Sequence, residues 1–358
     1  MKVLDMTSGR RSYEVRIEHS ILFECVLGIA VSTYTAIQGS LERPADYWSQ
    51  RRAALPASLQ AELELVERHN TWKALLQLLH QKSFEDIQQF LFYIQELTAS
   101  DLRYGCLPYL GMPWQELRRL AAEGSVDAMQ ALLDEVAGHA FFPSLISYVC
   151  QVDADELRRH LCDVTAGWYS AVTETEQEQI RGILARDAGE KIAMKDKLHP
   201  EALVEWATGG LAYAPEPAVT RVLLIPHVTY RPWNVHAEIE QTKIFYYPVA
   251  DHNLEAEPDV YRPALSLVQR YKALGDEHRL RIVKLLMEKE RTLQELTEHL
   301  DLAKSTIHHH LSLLRSAQLV GVTDGVYEVK KAGLATMDAE LRHYLERQAA
   351  LRGGEDER

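Results

Sequence analysis

The sequence predicts a mainly α chain of the α+β class, with a helical N-terminal domain, a small β element and a compact C-terminal module of short helices closed by a hairpin. Three observations carry this. Apolar residues recur at helical spacing through most of residues 13–210. β-branched and aromatic runs cluster at 219–228 and 242–249. From residue 263 onward, short amphipathic segments alternate with capping and turn residues. At 358 residues, two or three domains are expected, and 46% apolar against 25% charged residues leaves enough apolar side chain for a buried core in each.

In the N-terminal part, Ile17, Ile21, Leu22, Cys25, Val26 and Ile29 form the first stripe. Leu59, Leu63 and Val66 form another, as do Leu75, Leu78 and Leu79. Ile87, Phe90, Leu91, Ile94 and Leu97 follow, with Ser83 and Asp86 as a capping pair at their start. Further helices are expected over 114–122, 126–137 and 153–185, between loops marked by Pro56, Gly105, Pro108, Gly111, Pro113 and Gly124. The runs 219–228 and 242–249 read as two paired strands, a hairpin joined by a loop of about a dozen residues. The expected division is a mostly helical domain over 1–250 with the β element near 219–249, a linker over 251–264, a compact module over 265–346 and a polar tail over 347–358.

The C-terminal module can be read almost residue by residue. Pro263 opens a helix with Leu265, Val268, Tyr271 and Leu274 on one face, and Gly275 ends it. Asp276 caps a second helix, with Leu280, Val283, Leu286 and Met287 as its core face. Thr292 opens a third helix carrying Leu293, Leu296 and Leu300. After a turn at 301–304, Ser305 caps a fourth, with Ile307, Leu311 and Leu314 inward. Two short helices joined by such a turn make a helix-turn-helix, whose second helix enters the major groove of DNA. The runs 319–322 and 326–329 bracket Asp324-Gly325, a hairpin that reads as a wing. Leu334, Leu341 and Leu345 stripe a last helix.

A formal charge of −13 opposes binding to DNA until it is located along the chain. Residues 1–270 carry 25 Lys+Arg and 37 Asp+Glu, a net of −12, whereas residues 271–346 carry 11 and 12. The local field at the docking surface matters, not the total. Residues 303–317 contain no acid. With Ile307, Leu311 and Leu314 inward, the outward set is Lys304, Ser305, Thr306, His308, His309, Ser312 and Arg315. The two cations can neutralise phosphates, and the hydroxyls and imidazoles can reach base edges.

This segment resembles the arsenical-resistance-repressor family of winged helix-turn-helix regulators. The matching residues are Ala273-Leu274-Gly275-Asp276, Arg279, Ile282, Leu285-Leu286 and Leu293-Gln294-Glu295-Leu296. Ser305-Thr306-Ile307-His308-His309-His310-Leu311, Leu314-Arg315 and Gln318-Leu319-Val320 complete the set. The resemblance implies a homodimer built from the first and last helices of the module, placing two recognition helices one turn of duplex apart. Residues 1–250 are similar to the uncharacterised domain that precedes this module in some longer bacterial members. The matching features there are the Glu24 helix, Trp48 after a proline, Pro226 and Arg231-Pro232. A cytoplasmic transcriptional repressor with a small-molecule or protein effector is the expectation.

Short members of that family often sense metals, and this chain departs from their pattern. The third helix has no cysteine, and on the last helix Asp338 is followed by Glu340 with only His343 nearby. His308, His309 and His310 fan around a helix about 100° apart and lack the i,i+4 pairing that chelation uses. No metal and no cofactor are therefore expected. Cys25, Cys106, Cys150 and Cys162 are scattered and read as core residues. No phosphate loop, HExxH or GxSxG occurs, so an enzyme is not expected. No run is long and apolar enough for a bilayer, so no membrane partner is expected. The alternatives are a winged-helix module for protein partners and a metal-sensing repressor.

Overall fold

The computed structural model describes residues 12–39, 41–43, 45–255, 261, 263–323 and 325–346. Its contacts group into two compact units: residues 18–185 with 221–248, and residues up to 17 with 186–220 and 249 onward. This corrects the division at residue 250. The segment 186–220 packs with the C-terminal module, and sequence-local patterning carries no signal for such a long-range choice.

β1 (Glu14–Ile17) belongs to the second unit. Its Val15 is buried between exposed neighbours, a period of two, so Ile17 ends a strand and does not start the first helical stripe.

The first unit is a helical lobe around α1 (Ile21–Thr33), every residue of which is buried. Ser20 caps it, accepting from the Leu22 amide. The chain continues through α2 (Thr35–Gln38), α3 (Ala45–Ala53), α4 (Ala57–His69), α5 (Trp72–Leu79) and α6 (Ile87–Glu96). Asp86 alone caps α6, accepting from the Gln89 amide at 2.9 Å; Ser83 lies outside the helix. Next come α7 (Ala99–Cys106), α8 (Gln115–Ala122), α9 (Val126–Glu135), α10 (Phe142–Gln151) and α11 (Ala154–Trp168). A π-helical turn, Tyr169–Thr173, leads into α12 (Glu174–Met194). α1 packs against α4, α5 and α11. Gly28 makes this approach possible, because a Cβ there would lie 2.8 Å from the Trp168 indole nitrogen.

The β element differs from the expected hairpin. β2 (Arg221–His227) and β4 (Thr242–Pro248) are parallel, with Leu224 opposite Phe245. The antiparallel partner of β4 is β3 (Val235–Ile239), within the expected loop, and it pairs His236 with Phe245. β3 is only half-buried and turns into β4 at Gln241, a non-glycine residue at φ 56°, so neither a strong apolar run nor a glycine announces it. Glu24 fastens the end of β2. Its carboxylate accepts from the Val228 amide, the Thr229 amide and the Thr229 hydroxyl, and burial pushes its carboxyl pKa up.

The second unit contains α13 (Pro200–Ala207), α14 (Leu265–Leu274), α15 (Glu277–Glu288), β5 (Arg291–Thr292), α16 (Leu293–Leu300) and α17 (Lys304–Ser316). β6 (Val320–Thr323), β7 (Val326–Val329) and α18 (Lys331–Glu346) complete it. The strands form a sheet in the order β5-β7-β6, with Tyr327 opposite both Arg291 and Val322. The wing turn has Gly325 at φ 80°, and its Asp324 lies outside the described residues. Ile282, Leu286, Leu296, Ile307, Leu314 and Leu319 are among the core residues.

Several inward faces differ from the expected stripes. On α14 the buried residues among those described are Leu267, Arg270 and Ala273, while Tyr271 is exposed and the Leu265 side chain lies outside the described ones. On α15 they are Ile282, Val283 and Leu286, leaving Leu280 and Met287 exposed. On α18, Thr336, Met337 and Glu340 are buried and Leu345 is exposed. α18 packs against α13 and α14.

The expected linker is partly anchored. The Asp187 carboxylate near the end of α12 accepts from the Ala250 amide at 2.8 Å and from Asn253 Nδ2 at 3.0 Å. Glu190 pairs with His252 at 3.0 Å, and Lys191 pairs with Glu190 at 3.2 Å. The ammonium of Lys191 and the His252 hydrogen bond hold the Glu190 carboxyl well below the usual range against its burial.

Candidate nucleic-acid interface

The interface is built on two short helices. Thr292 and Glu295 form a reciprocal capping box at the start of α16: Thr292 Oγ1 accepts from the Glu295 amide, and the Glu295 carboxylate accepts from the Thr292 amide at 2.7 Å. Asp301, at φ 51°, takes the left-handed conformation that ends α16. α17 then starts at Lys304, with Ala303 at its N-cap and no side-chain cap. Ser305 therefore does not cap this helix; it is exposed on its first turn.

Packing fixes which face of α17 looks outward. Ile307, Leu311 and Leu314 are at most 1% exposed, one per turn along the inner side. Lys304, Ser305, Thr306, His308, His309, Ser312 and Arg315 are all exposed. The structure thus brings the whole expected set together on one solvent face, about 18 Å long at 1.5 Å per residue. That face offers ammonium, guanidinium, hydroxyl and imidazole groups and no carboxylate, a donor-rich inventory suited to phosphate oxygens and base edges.

The third histidine behaves differently. His310 is buried, 3.8 Å from the Asp276 carboxylate, and its ring centre lies 5.7 Å from that of His278. Burial lowers its pKa, with Asp276 acting in the opposite direction. It joins α17 to the cap of α15 and is part of the scaffold. Arg279 is likewise structural, donating to the Ala273 carbonyl at 2.5 Å and the Lys272 carbonyl at 3.0 Å at the end of α14.

The wing adds residues that the sequence reading did not include. Ser312 and Arg315 share a groove with Val322, Glu328 and Lys330. The Lys330-Lys331 pair that follows the wing is the signal that could have marked this edge. Lys330 donates to the Gly210 carbonyl at 3.1 Å and to the Gln318 side chain at 3.2 Å.

Residues 276–322 match the family model of bacterial regulatory proteins of the arsR family. The C-terminal part of the chain carries an arsR-family regulatory domain. The match begins at Asp276, the cap of α15, and ends at Val322 in the first wing strand. The arsR-family domain is a DNA-binding domain of transcription regulators, and α17 is the second helix of the α16–α17 pair inside the match. No curated protein and no solved structure matches the chain.

The residues considered for a metal in this domain have separate partners. Asp338 pairs with Arg342 at 2.7 Å, Glu340 with Arg270 at 2.5 Å, and His343 lies 3.9 Å from Glu190. All four cysteines are free thiols in the helical lobe, and burial raises each of them, Cys25 to about 12 and Cys150 and Cys162 to about 11. Among the described residues, no helix is long and apolar enough to cross a membrane.

Proposed function

We propose that this chain is a transcriptional repressor that docks α17 in the major groove and responds to an effector through the helical unit. The observation that carries the reading is the solvent face of α17, where seven polar or cationic side chains and no acid stand over a fully buried apolar stripe. Lys304 and Arg315 serve phosphates at the two ends of the helix, and His308 and His309 face base edges between them. No catalytic role is assigned to the chain.

In this reading the regulator works as a homodimer. Tyr271 on the first helix of the module and Leu345 on the last are large apolar side chains left 43% and 57% exposed, and a second copy would cover them. Two-fold related half-sites follow from that symmetry. The helical unit is the effector part because its acidity disfavours contact with a phosphate backbone. α12 begins in that unit and ends in the other, so one helix is shared by both.

The test is recovery of genomic fragments bound by the full chain, followed by footprinting and binding titrations across salt. A groove reader protects two related half-sites and loses affinity steeply with salt. A winged helix that serves protein partners would show neither.

A further inference from the structure

The helical unit holds a second feature, unrelated to α17. α5, the segment leading into α10, and β3 enclose a cavity of about 410 Å³, within the range of small-molecule sites. All of its lining residues lie in the helical unit. Its walls are aromatic: Trp72 and Phe141 meet edge to face at 5.7 Å, and Tyr230 is buried beside them.

One charge in this cavity, on a half-buried side chain, has no carboxylate partner among the described residues. The Lys73 ammonium lies 4.5 Å from the Trp72 ring centre and 5.6 Å from that of Phe141. Among the described residues it has neither a hydrogen bond nor an ion pair. Cation–π contact recovers only part of what desolvating an ammonium costs. The cavity's acid, Glu238, already faces Lys243 at 3.2 Å. Burial accordingly holds Lys73 down at about 8.

A second donor is fixed by geometry. His139 Nδ1 accepts from the Phe141 and Phe142 amides, both at 3.2 Å. Nδ1 must therefore be unprotonated, which puts the proton of the neutral ring on Nε2. His139 also stacks on Phe142 with ring centres 3.7 Å apart, so its orientation is set. The cavity thus presents an ammonium without a carboxylate partner beside its aromatic wall and, at its exposed rim, an imidazole N–H.

We propose that this cavity binds a small planar organic anion, an aromatic carboxylate, with its carboxylate on Lys73 and His139 and its ring against the aromatic wall that Trp72, Phe141 and Tyr230 form. The proposal rests on the effector reading only for its consequence at DNA, because ligand binding is measured with no DNA present. Failure of one and failure of the other are therefore distinguishable.

The experiment titrates the full chain with benzoate, 2-naphthoate and indole-3-carboxylate by calorimetry, with 2-naphthamide as the uncharged counterpart. At least one carboxylate is expected to bind at pH about 7, and Lys73→Met to weaken it about tenfold or more, the scale of a charge-assisted contact. A measurement on the unaltered chain covers the case in which the variant fails to fold. Besides its two aromatic neighbours, His139 before α10 and His236 on β3 act electrostatically with Lys73, and Glu238 on β3 and Lys243 on β4 line the same cavity. Raising the pH through about 8 removes the ammonium proton, so carboxylate affinity should fall while 2-naphthamide is unaffected. No binding of any carboxylate at millimolar concentration would overturn the proposal. So would equal affinity for naphthoate and naphthamide, or a carboxylate affinity that is flat with pH and unchanged in a folded Lys73→Met protein.

Discussion

Arg270 on α14 and Glu340 on α18 form an ion pair at 2.5 Å with both side chains only 6% exposed. Arg270 Nη1 also donates to the Thr336 hydroxyl, while Arg270 Nε and Glu340 Oε2 have no hydrogen-bond partner among the described residues. Such a pair is costly to leave half-made and contributes little compared with an apolar isostere. Arg270→Ala or Glu340→Ala should each destabilise the module by about 3–5 kcal/mol, whereas the double change Arg270→Met with Glu340→Leu should cost far less. Urea unfolding of the three variants checks this, and equal losses in singles and double would contradict it.

Acid should weaken the helical unit through two histidines, His227, which is buried, and His80, which is half-buried. His227 donates from Nε2 to the Trp233 carbonyl at 3.1 Å and accepts the Tyr230 amide on Nδ1 at 3.3 Å, which makes it neutral, and burial holds it down at about 3. His80, bonded to the Tyr246 hydroxyl at 2.6 Å, is also pushed down to about 3. In the unfolded chain both titrate near their ordinary value, about 6.5. Below that pH the unfolded state binds more protons, so stability falls from pH about 6.5 toward 3, by about 1.4 kcal/mol per unit per histidine. Above it these two groups add no pH dependence. Urea midpoints across this window, with His227→Gln showing a shallower slope, are the measurement.

The cover that α13 gives α18 yields a third prediction. Leu203, Val204 and Ala207 of α13 are buried, and this helix lies outside the arsR-family match. A fragment of residues 263–346 loses it. Hydrogen exchange at the α18 amides should be markedly faster in the fragment than in the full chain. Equal protection would show that α13 contributes nothing to holding α18.

Legibility followed how local each signal was. Asp276, Thr292 at the start of α16, and the stripe Ile307, Leu311, Leu314 are short-range devices, and the structure has each where the sequence places it. The outward face of α17 follows from that stripe alone. The inner faces of α14 and α18 were misread because their centres are Arg270 and Glu340, which look polar until each is seen to neutralise the other. β3 was missed because Val235, Ala237 and Ile239 alternate weakly and are only half-buried. The parallel β2–β4 pairing and the attachment of 186–220 to the C-terminal unit are long-range choices without a local pattern. Lys73 carries no motif; its isolation among Trp72, Phe141 and His139 exists only in three dimensions.

In the proposed docking, Lys304 and Arg315 meet phosphates while His309 faces bases. The salt dependence of binding to the recovered DNA site distinguishes these roles. Log affinity should fall steeply and linearly with log salt, with a slope smaller by about one for Lys304→Ala and again for Arg315→Ala. His309→Ala should leave the slope unchanged and relax base preference within the footprint. A slope near zero in the unaltered protein, or one that none of these substitutions changes, would contradict the placement of α17 on DNA.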